Sequence, residues 1–404
     1  KIVIGKDTRI SGYMIETALT SGIVSAGVDV LLVGPLPTPA IAHLTKSMNA
    51  DAGIVISASH NHASDNGIKI FDSRGLKLSG KIEQEIEQEI FSTKKQEGEN
   101  QIGKAFRISD AVGRYIEFAK ASIANQPLEG LKVVLDCANG AAYKTAPTIF
   151  SELGAKLAVL NNFPNGSNIN ENCGALHPKI IQDEVRKQKA DIGIALDGDA
   201  DRVIVCDEKG EIVDGDQIMA ICAIALKKQK KLQNNTVVTT VMSNKGFFDA
   251  MKENQIEVIT TGIGDKFVIE KMLEHKAILG GEQSGHIIFL DYSTTGDGII
   301  TALQLLATIK NSKKKLSELA KQMKKYPQVL VNVKVKERKP IVQLKETSKK
   351  IAGAEKELGE HGRVFVRHSG TENLCRVMVE GKSLEQIKKI ADRIALQVKK
   401  EIGE

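Results

Sequence analysis

At 404 residues the chain is too long for one compact core, and its length sets an expectation of three or four domains. Hydrophobic residues make up 42% and charged residues 26%, the balance of an ordinary soluble enzyme, and 56 basic against 50 acidic residues leave a formal charge of only +6. With no Trp and 4% aromatics the chain lacks the stacking platforms and dense basic stripe of a nucleic-acid binder, while a locally positive cleft for a small anionic substrate is allowed.

Cys137, Cys173, Cys206, Cys222 and Cys375 are scattered, odd in number and form no C-x-x-C pair, which points to reduced, buried thiols in a cytoplasmic protein. No apolar run approaches the length of a membrane span and no signal peptide is visible, so no membrane partner is expected. The first five residues open directly on a buried-looking strand without an initiator Met, the pattern expected of a trimmed start.

Strand and helix periodicities alternate along the chain, which predicts α/β layers. In the first segment they predict strands over 2–4, 30–33 and 53–57, helices over 13–26, 40–48, 81–91 and 109–124, a proline-rich loop over 35–39 and an exposed polar stretch over 92–101. Asn125-Gln126-Pro127 reads as a boundary, giving a first domain over 1–126. The second, over 127–230, restarts with a strand at 132–136 and continues through a helix, an Asn-rich loop over 161–172, two strands around an acidic turn and a helix over 216–228. The third, over 231–326, has a strand over 237–241, a helix around 267–274, a polar loop over 280–286 and a long helix over 297–309. The last, over 327–404, has strands over 329–335, 363–366 and 375–380, a helix around 340–357 and a closing helix. No internal sequence repeat is visible, and the short lysine runs read as solvated helix faces.

The acidic turn is Asp197-Gly198-Asp199-Ala200-Asp201-Arg202, three alternating carboxylates at the end of a buried strand. Hard oxygen ligands in this spacing suit one divalent cation, Mg²⁺ for phosphate chemistry, and three crowded carboxylates repel one another unless a cation joins them. The spacing also begins an EF-hand, with Glu208 at its twelfth position, but Arg202 replaces the required glycine and a strand, not a helix, follows. An ordinary polar turn is the bland alternative.

Three further loops carry candidate chemistry. Ser57-Ala58-Ser59-His60-Asn61 ends a strand and offers Ser59 as a phosphate-carrying nucleophile, although such loops are more often turns. Lys69 and Arg9, at strand ends of the same segment, are cations suited to phosphoryl oxygens, with surface charge as the alternative. Gly281-Glu282-Gln283-Ser284-Gly285-His286 places Glu282 and Ser284 to bind sugar hydroxyls and His286 as an acid or base. Arg367-His368-Ser369-Gly370-Thr371-Glu372, with Arg376 beyond, forms a clamp for a dianionic phosphate, or else a hydrophilic hairpin. Gly262-Ile263-Gly264-Asp265-Lys266 before a helix is a lesser anion candidate.

Taken in this order, the four loops resemble the α-D-phosphohexomutase family over nearly the whole chain. The resemblance implies three α/β domains with mixed sheets and a smaller α+β C-terminal domain, one loop from each lining a cleft. It implies an isomerase in which Ser59 carries the phosphate, Ser59, Asp197, Asp199 and Asp201 hold one Mg²⁺, and Arg9, Lys69 and His286 lie near the transfer. Glu282 and Ser284 would hold the sugar, and Arg367, Ser369, Gly370, Thr371 and Arg376 the phosphate that is not reacting. Ile56 to Asn61, Asp65-Asn66-Gly67-Ile68-Lys69, Asn172-Cys173-Gly174-Ala175-Leu176-His177-Pro178 and Glu282 to His286 are most similar to the branch converting glucosamine 6-phosphate to glucosamine 1-phosphate. A phosphosugar partner, glucosamine 1,6-bisphosphate as intermediate and activator, and a cytoplasmic step toward UDP-N-acetylglucosamine follow from that branch, which permits a homodimer. A phosphomannomutase or phosphoglucomutase is the nearest alternative; a haloacid-dehalogenase-type phosphatase with Asp197 as nucleophile, or a non-catalytic sugar-phosphate binder, are the more distant ones. His62, Lys266, His368 and Asn373 depart from the family pattern without removing a reacting group, and the family's opening Thr-Asp-Gly-Ile-Arg-Gly segment does not precede Lys1.

Overall fold

The computed structural model describes residues 1–92, 101–369 and 373–404. The first sheet contains β1 (Ile2–Lys6), β2 (Val30–Pro35), β3 (Ala52–Ile56), β4 (Ile68–Asp72) and β5 (Ala105–Arg107) in the order β4-β3-β1-β2-β5. All neighbours are parallel except β3 and β4. The second contains β6 (Lys132–Asp136), β7 (Lys156–Leu160), β8 (Ile192–Leu196), β9 (Val203–Asp207) and β10 (Ile212–Val213) in the order β10-β9-β8-β6-β7, parallel around β6 and antiparallel from β8 outward. The third, β11 (Thr236–Thr240), β12 (Glu257–Thr261), β13 (Leu279–Gly281) and β14 (Ile287–Phe289), is parallel but for the β13–β14 pair.

Each of these mixed sheets repeats one device: a parallel strand ends, a polar loop reverses the chain, and the next strand returns antiparallel. The loops after β3, β8 and β13 are the serine, aspartate and Glu-Ser-His segments. Strands that feed them are apolar because both faces are covered; β8 and β13 are buried along their whole length. Ile4, Val30, Ile54 and Ile56 form one core cluster, Val134, Ile181, Val185 and Cys206 a second, and Val238, Val268 and Met272 a third.

Residues 1–242 and 254–322 form one compact body. Residues 243–253 and 323–404 form the other, which contains the helix Lys245–Glu253 and an antiparallel sheet of β15 (Gln328–Lys334), β16 (Gly362–His368) and β17 (Leu374–Gly381), with β17 central. Val333, Val377, Ile390 and Ile394 pack in its core. The helix Lys245–Glu253 is thus drawn from the stretch expected as the third domain yet packs with the last one. A buried carboxylate explains the attachment: Glu380 accepts hydrogen bonds from Asn244 Nδ2 (3.0 Å), the Lys245 N–H (3.3 Å) and Arg363 Nε (2.6 Å).

The fold class stands as expected, three α/β units with mixed sheets and a smaller C-terminal one. Several elements differ from the sequence expectation. Pro39 lies inside the first turn of the helix Thr38–Ser47 rather than in the preceding loop, because a proline there forfeits only an N–H that has no helical partner. The helix expected around 340–357 starts at Lys345, after a separate 3-10 turn at Ile341–Gln343. Short elements at Ala105–Arg107, Ile212–Val213 and Lys179–Gln188 were not foreseen. The polar stretch at 92–101 lies largely outside the described residues. All five cysteines are free and buried, and no described helix is long and apolar enough to cross a membrane.

Candidate active site

The aspartate loop leaves the end of β8 and is fixed by backbone bonds from three distant segments. Gly198 O accepts the N–H of Ala141 (2.7 Å), Asp199 O that of Thr38 (2.9 Å) and Ala200 O that of Gly298 (2.9 Å). Ala200 takes a left-handed conformation (φ 56°) inside the turn. So held, Asp197, Asp199 and Asp201 converge, with ligand oxygens all within 4.8 Å of one another and the side chains buried.

Three buried carboxylates at this distance are costly without a cation. Burial, followed by the charges of Asp201 and Asp199, pushes Asp197 well above the usual carboxylate range. Burial acts the same way on Asp201, but Lys69 and then His286 outweigh it and hold Asp201 well below that range. Oδ1 of Asp199 and Oδ1 of Asp201 are buried without a hydrogen-bond donor among the described residues. Converging hard oxygen donors with two unsatisfied atoms fit a magnesium ion.

Ser59 sits directly on this cluster, its Oγ donating to Asp197 Oδ2 at 2.7 Å and lying 3.3 Å from His60 Nδ1. The backbone of Ser59 is left-handed (φ 49°), uncommon for a residue other than glycine, and its N–H is held by Ser57 Oγ at 2.9 Å. Ser57 in turn donates to Asp7 Oδ2 at 2.6 Å.

Lys69, on β4 beside β3, reaches the same cluster, with Nζ 2.5 Å from Asp199 Oδ2 and 3.2 Å from Asp201 Oδ2. Burial alone would lower its pKa, but Asp199 and Asp201 hold it above the ordinary lysine value, so it stays protonated. His286 is buried and accepts the Gly296 N–H on Nε2 at 3.0 Å, which assigns its proton to Nδ1, 3.6 Å from Asp201 Oδ2. Asp265 flanks the same ring, Oδ2 to Nε2 3.5 Å.

Arg9 differs from expectation. It is fully buried, and all five of its N–H groups are committed: Nε to Asp7 Oδ2 (2.8 Å), Nη1 to the carbonyls of His62 and Asp65, and Nη2 to those of Ser59 (3.0 Å) and Asn61 (2.9 Å). It shapes the serine loop and has no N–H left for a ligand.

Glu282 Oε1 accepts the Gly264 N–H at 3.2 Å, and Ser284 is exposed. The remaining candidates belong to the other body. There Arg367 on β16 stands directly opposite Arg376 on β17, and Arg376 Nη2 lies 3.4 Å from Ser369 Oγ. Two guanidiniums facing each other across a ladder are unfavourable unless an anion joins them, and burial followed by Arg376 lowers the Arg367 pKa. Gly370 and Thr371 lie outside the described residues.

Sequence reasoning did not single out Thr38, Asn170 or Asp7, which act on the loops from a distance; Thr38 Oγ donates to Asp199 Oδ2 at 2.5 Å across 161 positions of chain. Asp265 was visible only as part of an anion-binding turn.

Comparison with known proteins agrees with this arrangement. Four signatures of phosphoglucomutase/phosphomannomutase match in chain order: alpha/beta/alpha domain I over 1–97, domain II over 113–210, domain III over 214–326 and the C-terminal domain over 330–397. The chain is 55% identical to the phosphoglucosamine mutase of Pelobacter propionicus over 408 residues, covering 100% of this chain and 90% of that protein. Among solved structures, a phosphoglucomutase/phosphomannomutase family protein from Burkholderia thailandensis superposes with TM-score 0.83 at 25% identity, covering 100% of this chain and 91% of the other. The N-acetylphosphoglucosamine mutase of Aspergillus fumigatus, solved with GlcNAc-6P and magnesium, shares the fold at TM-score 0.69 and 20% identity, covering 90% and 91%. A serine on an aspartate triad, on hairpin loops repeated from sheet to sheet, together with four matched domains in order, establishes that the chain belongs to the phosphoglucomutase/phosphomannomutase family of phosphohexomutases.

Proposed function

We propose that the chain interconverts glucosamine 6-phosphate and glucosamine 1-phosphate, a step toward UDP-N-acetylglucosamine, with Ser59 carrying the phosphate. The observation that carries the mechanism is the Ser59 hydroxyl 2.7 Å from Asp197 inside a buried three-carboxylate cluster; the amino-sugar preference rests on the 55% identity to a phosphoglucosamine mutase along the whole chain.

Asp197, Asp199 and Asp201 would hold Mg²⁺, which when bound supplies charge stabilisation to the phosphoryl oxygens. The phosphoryl group passes from Ser59 Oγ to the free sugar hydroxyl: the Oγ–P bond breaks as the new O–P bond forms, and the proton that the sugar hydroxyl gives up balances the one that Ser59 Oγ regains. The product is glucosamine 1,6-bisphosphate, whose other phosphate returns to Ser59 after the sugar turns over. Protonated Lys69 is placed to stabilise negative charge beside Asp199 and Asp201. His286 flanks the cluster, its Nδ1 3.6 Å from Asp201 Oδ2. Arg9 holds the serine loop, and exclusion of water by the buried cluster protects the phosphoserine from hydrolysis. Glu282 and Ser284 are assigned to the sugar, and Arg367, Ser369, Gly370, Thr371 and Arg376 to the distal phosphate. The four domains divide near residues 126, 230 and 326.

The test is conversion of glucosamine 6-phosphate with Mg²⁺ and catalytic glucosamine 1,6-bisphosphate, beside glucose and mannose 6-phosphates, in the native chain and in Ser59→Ala. Preference for the amino sugar and loss of both phosphoprotein and turnover in Ser59→Ala are expected. Faster turnover of glucose or mannose phosphate would reassign the substrate, and turnover surviving in Ser59→Ala would overturn the phosphoserine.

A further inference from the structure

We propose that Asn170 is a positioning residue for the Ser59 nucleophile, an inference that rests on the phosphoserine reading above. Its side-chain amide donates both N–H groups of Nδ2 into the serine loop, one to Ser59 O (2.9 Å) and one to Asn61 O (3.1 Å). Arg9 Nη2 donates to the same two carbonyls from another direction. Two donors therefore bridge one pair of oxygens, and each carbonyl has both lone pairs engaged. The double bridge answers a local cost: Ser59 occupies the left-handed region, where a side chain costs about 1 kcal/mol or more unless its surroundings enforce the pose.

The clamp is built from residues suited to it. Asn170 itself has φ 58°, a region that asparagine tolerates better than most residues, and its N–H is anchored on Ala138 O at 2.9 Å. Gly198 of the aspartate loop lies against both partners: a Cβ there would stand 2.6 Å from Ser59 O and 2.7 Å from Asn170 Nδ2. At Gly198 the serine loop, the Asn-rich loop and the metal loop thus meet with no room for a further side chain. Asn170 touches neither Ser59 Oγ nor a carboxylate. It fixes the backbone from which Oγ projects, and phosphoryl transfer, which depends mainly on alignment, is sensitive to that direction.

The experiment uses Asn170→Gly, which keeps the positive φ without strain and deletes both donors, and Asn170→Asp, which keeps the shape but sets a carboxylate against two carbonyls. Single-turnover phosphorylation of Ser59 from glucosamine 1,6-bisphosphate should slow about 10–100-fold in both. KM for glucosamine 6-phosphate and affinity for Mg²⁺ should stay within about 2-fold, and the amides of residues 57–61 should exchange hydrogen faster. Native phosphorylation rates, or equal losses in rate, KM and metal affinity tracking a smaller folded fraction, would overturn the proposal. If the native chain phosphorylates on no sugar bisphosphate, the functional reading fails instead, and hydrogen exchange alone decides the clamp: unchanged protection at 57–61 in Asn170→Gly refutes it.

Discussion

Thr38 grips Asp199 twice, by its hydroxyl to Oδ2 at 2.5 Å and by its N–H to the backbone carbonyl at 2.9 Å. The hydroxyl orients one carboxylate of the cluster while leaving Oδ1 of that residue without a donor. Groups that orient a metal-binding carboxylate commonly change affinity by about 10–100-fold when removed. Thr38→Val keeps the branched shape and removes one bond, so Mg²⁺ should bind about 10-fold more weakly with little change in melting temperature; an unchanged dissociation constant by calorimetric titration would show that Thr38 only packs. At this scale the sequence was informative where chemistry is local. Ser59, Asp197, Asp199 and Asp201 could be singled out because a hydroxyl or a run of carboxylates at a strand end is unusual in itself. Arg9 was also conspicuous, but its role depends on which oxygens surround the guanidinium, and apart from that of Asp7 those come from residues 50 and more positions away. Thr38 and Asn170 carry no local mark, since either residue type is ordinary in a loop or a helix start.

Among the elements, the helix Thr38–Ser47 is tied to its neighbour by an aromatic stack, His43 on Phe118 of the helix Ala111–Ala121, with ring centroids 3.7 Å apart and planes 17° from parallel. Burial, assisted by Lys46, lowers the His43 pKa from 6.5 to about 4. The unfolded chain therefore takes up a proton between those values that the folded chain refuses. The stability associated with His43 is complete above pH 6.5 and drains as pH falls toward 4. In His43→Phe, which keeps the stack and cannot titrate, the dependence of unfolding free energy on pH across that window should flatten; an unchanged slope in urea unfolding would mean that His43 is protonated in the fold. The long periodic elements were legible for the same reason that they are stable. The strand Lys132–Asp136 was legible to the residue, because an apolar run bounded by turn residues has few other readings. The helix Lys179–Gln188 was not, since only Ile181 and Val185 are buried and its other residues resemble a polar connection. Nor did the helix Lys245–Glu253 reveal that it packs with the C-terminal body, because the bonds from Asn244 and Lys245 to Glu380 span about 135 positions.

Across the body formed by residues 1–242 and 254–322, the three mixed sheets contribute the same kind of hairpin, and those of the second and third sheets lock onto each other through backbone. Gly285 marks the tightest of these contacts. Its φ is +91°, its carbonyl accepts the Val203 N–H at 3.1 Å, and a Cβ there would stand 2.1 Å from Val203 O. Neither the backbone of β9 nor the turn can give way without moving Asp201 and His286, which lie on either side of the contact. Gly285→Ala should therefore cost about 2–4 kcal/mol, from left-handed strain together with an overpacked contact. Because β9 belongs to the second sheet and β14, just beyond Gly285, to the third, the loss should appear as faster hydrogen exchange in strands of both. Loss of protection confined to β13 and β14 would show that the sheets unfold separately and that the contact only shapes a loop. Gly353, inside the helix Lys345–Leu358, supplies the control: a Cβ there meets nothing within 4 Å, so alanine should leave stability unchanged or raise it by up to about 1 kcal/mol. A glycine that merely occupies a helix and a glycine that lets two loops touch are the same letter in the sequence, and their opposite responses to one methyl group would measure how far this site depends on close approach of backbone rather than on its charged residues alone.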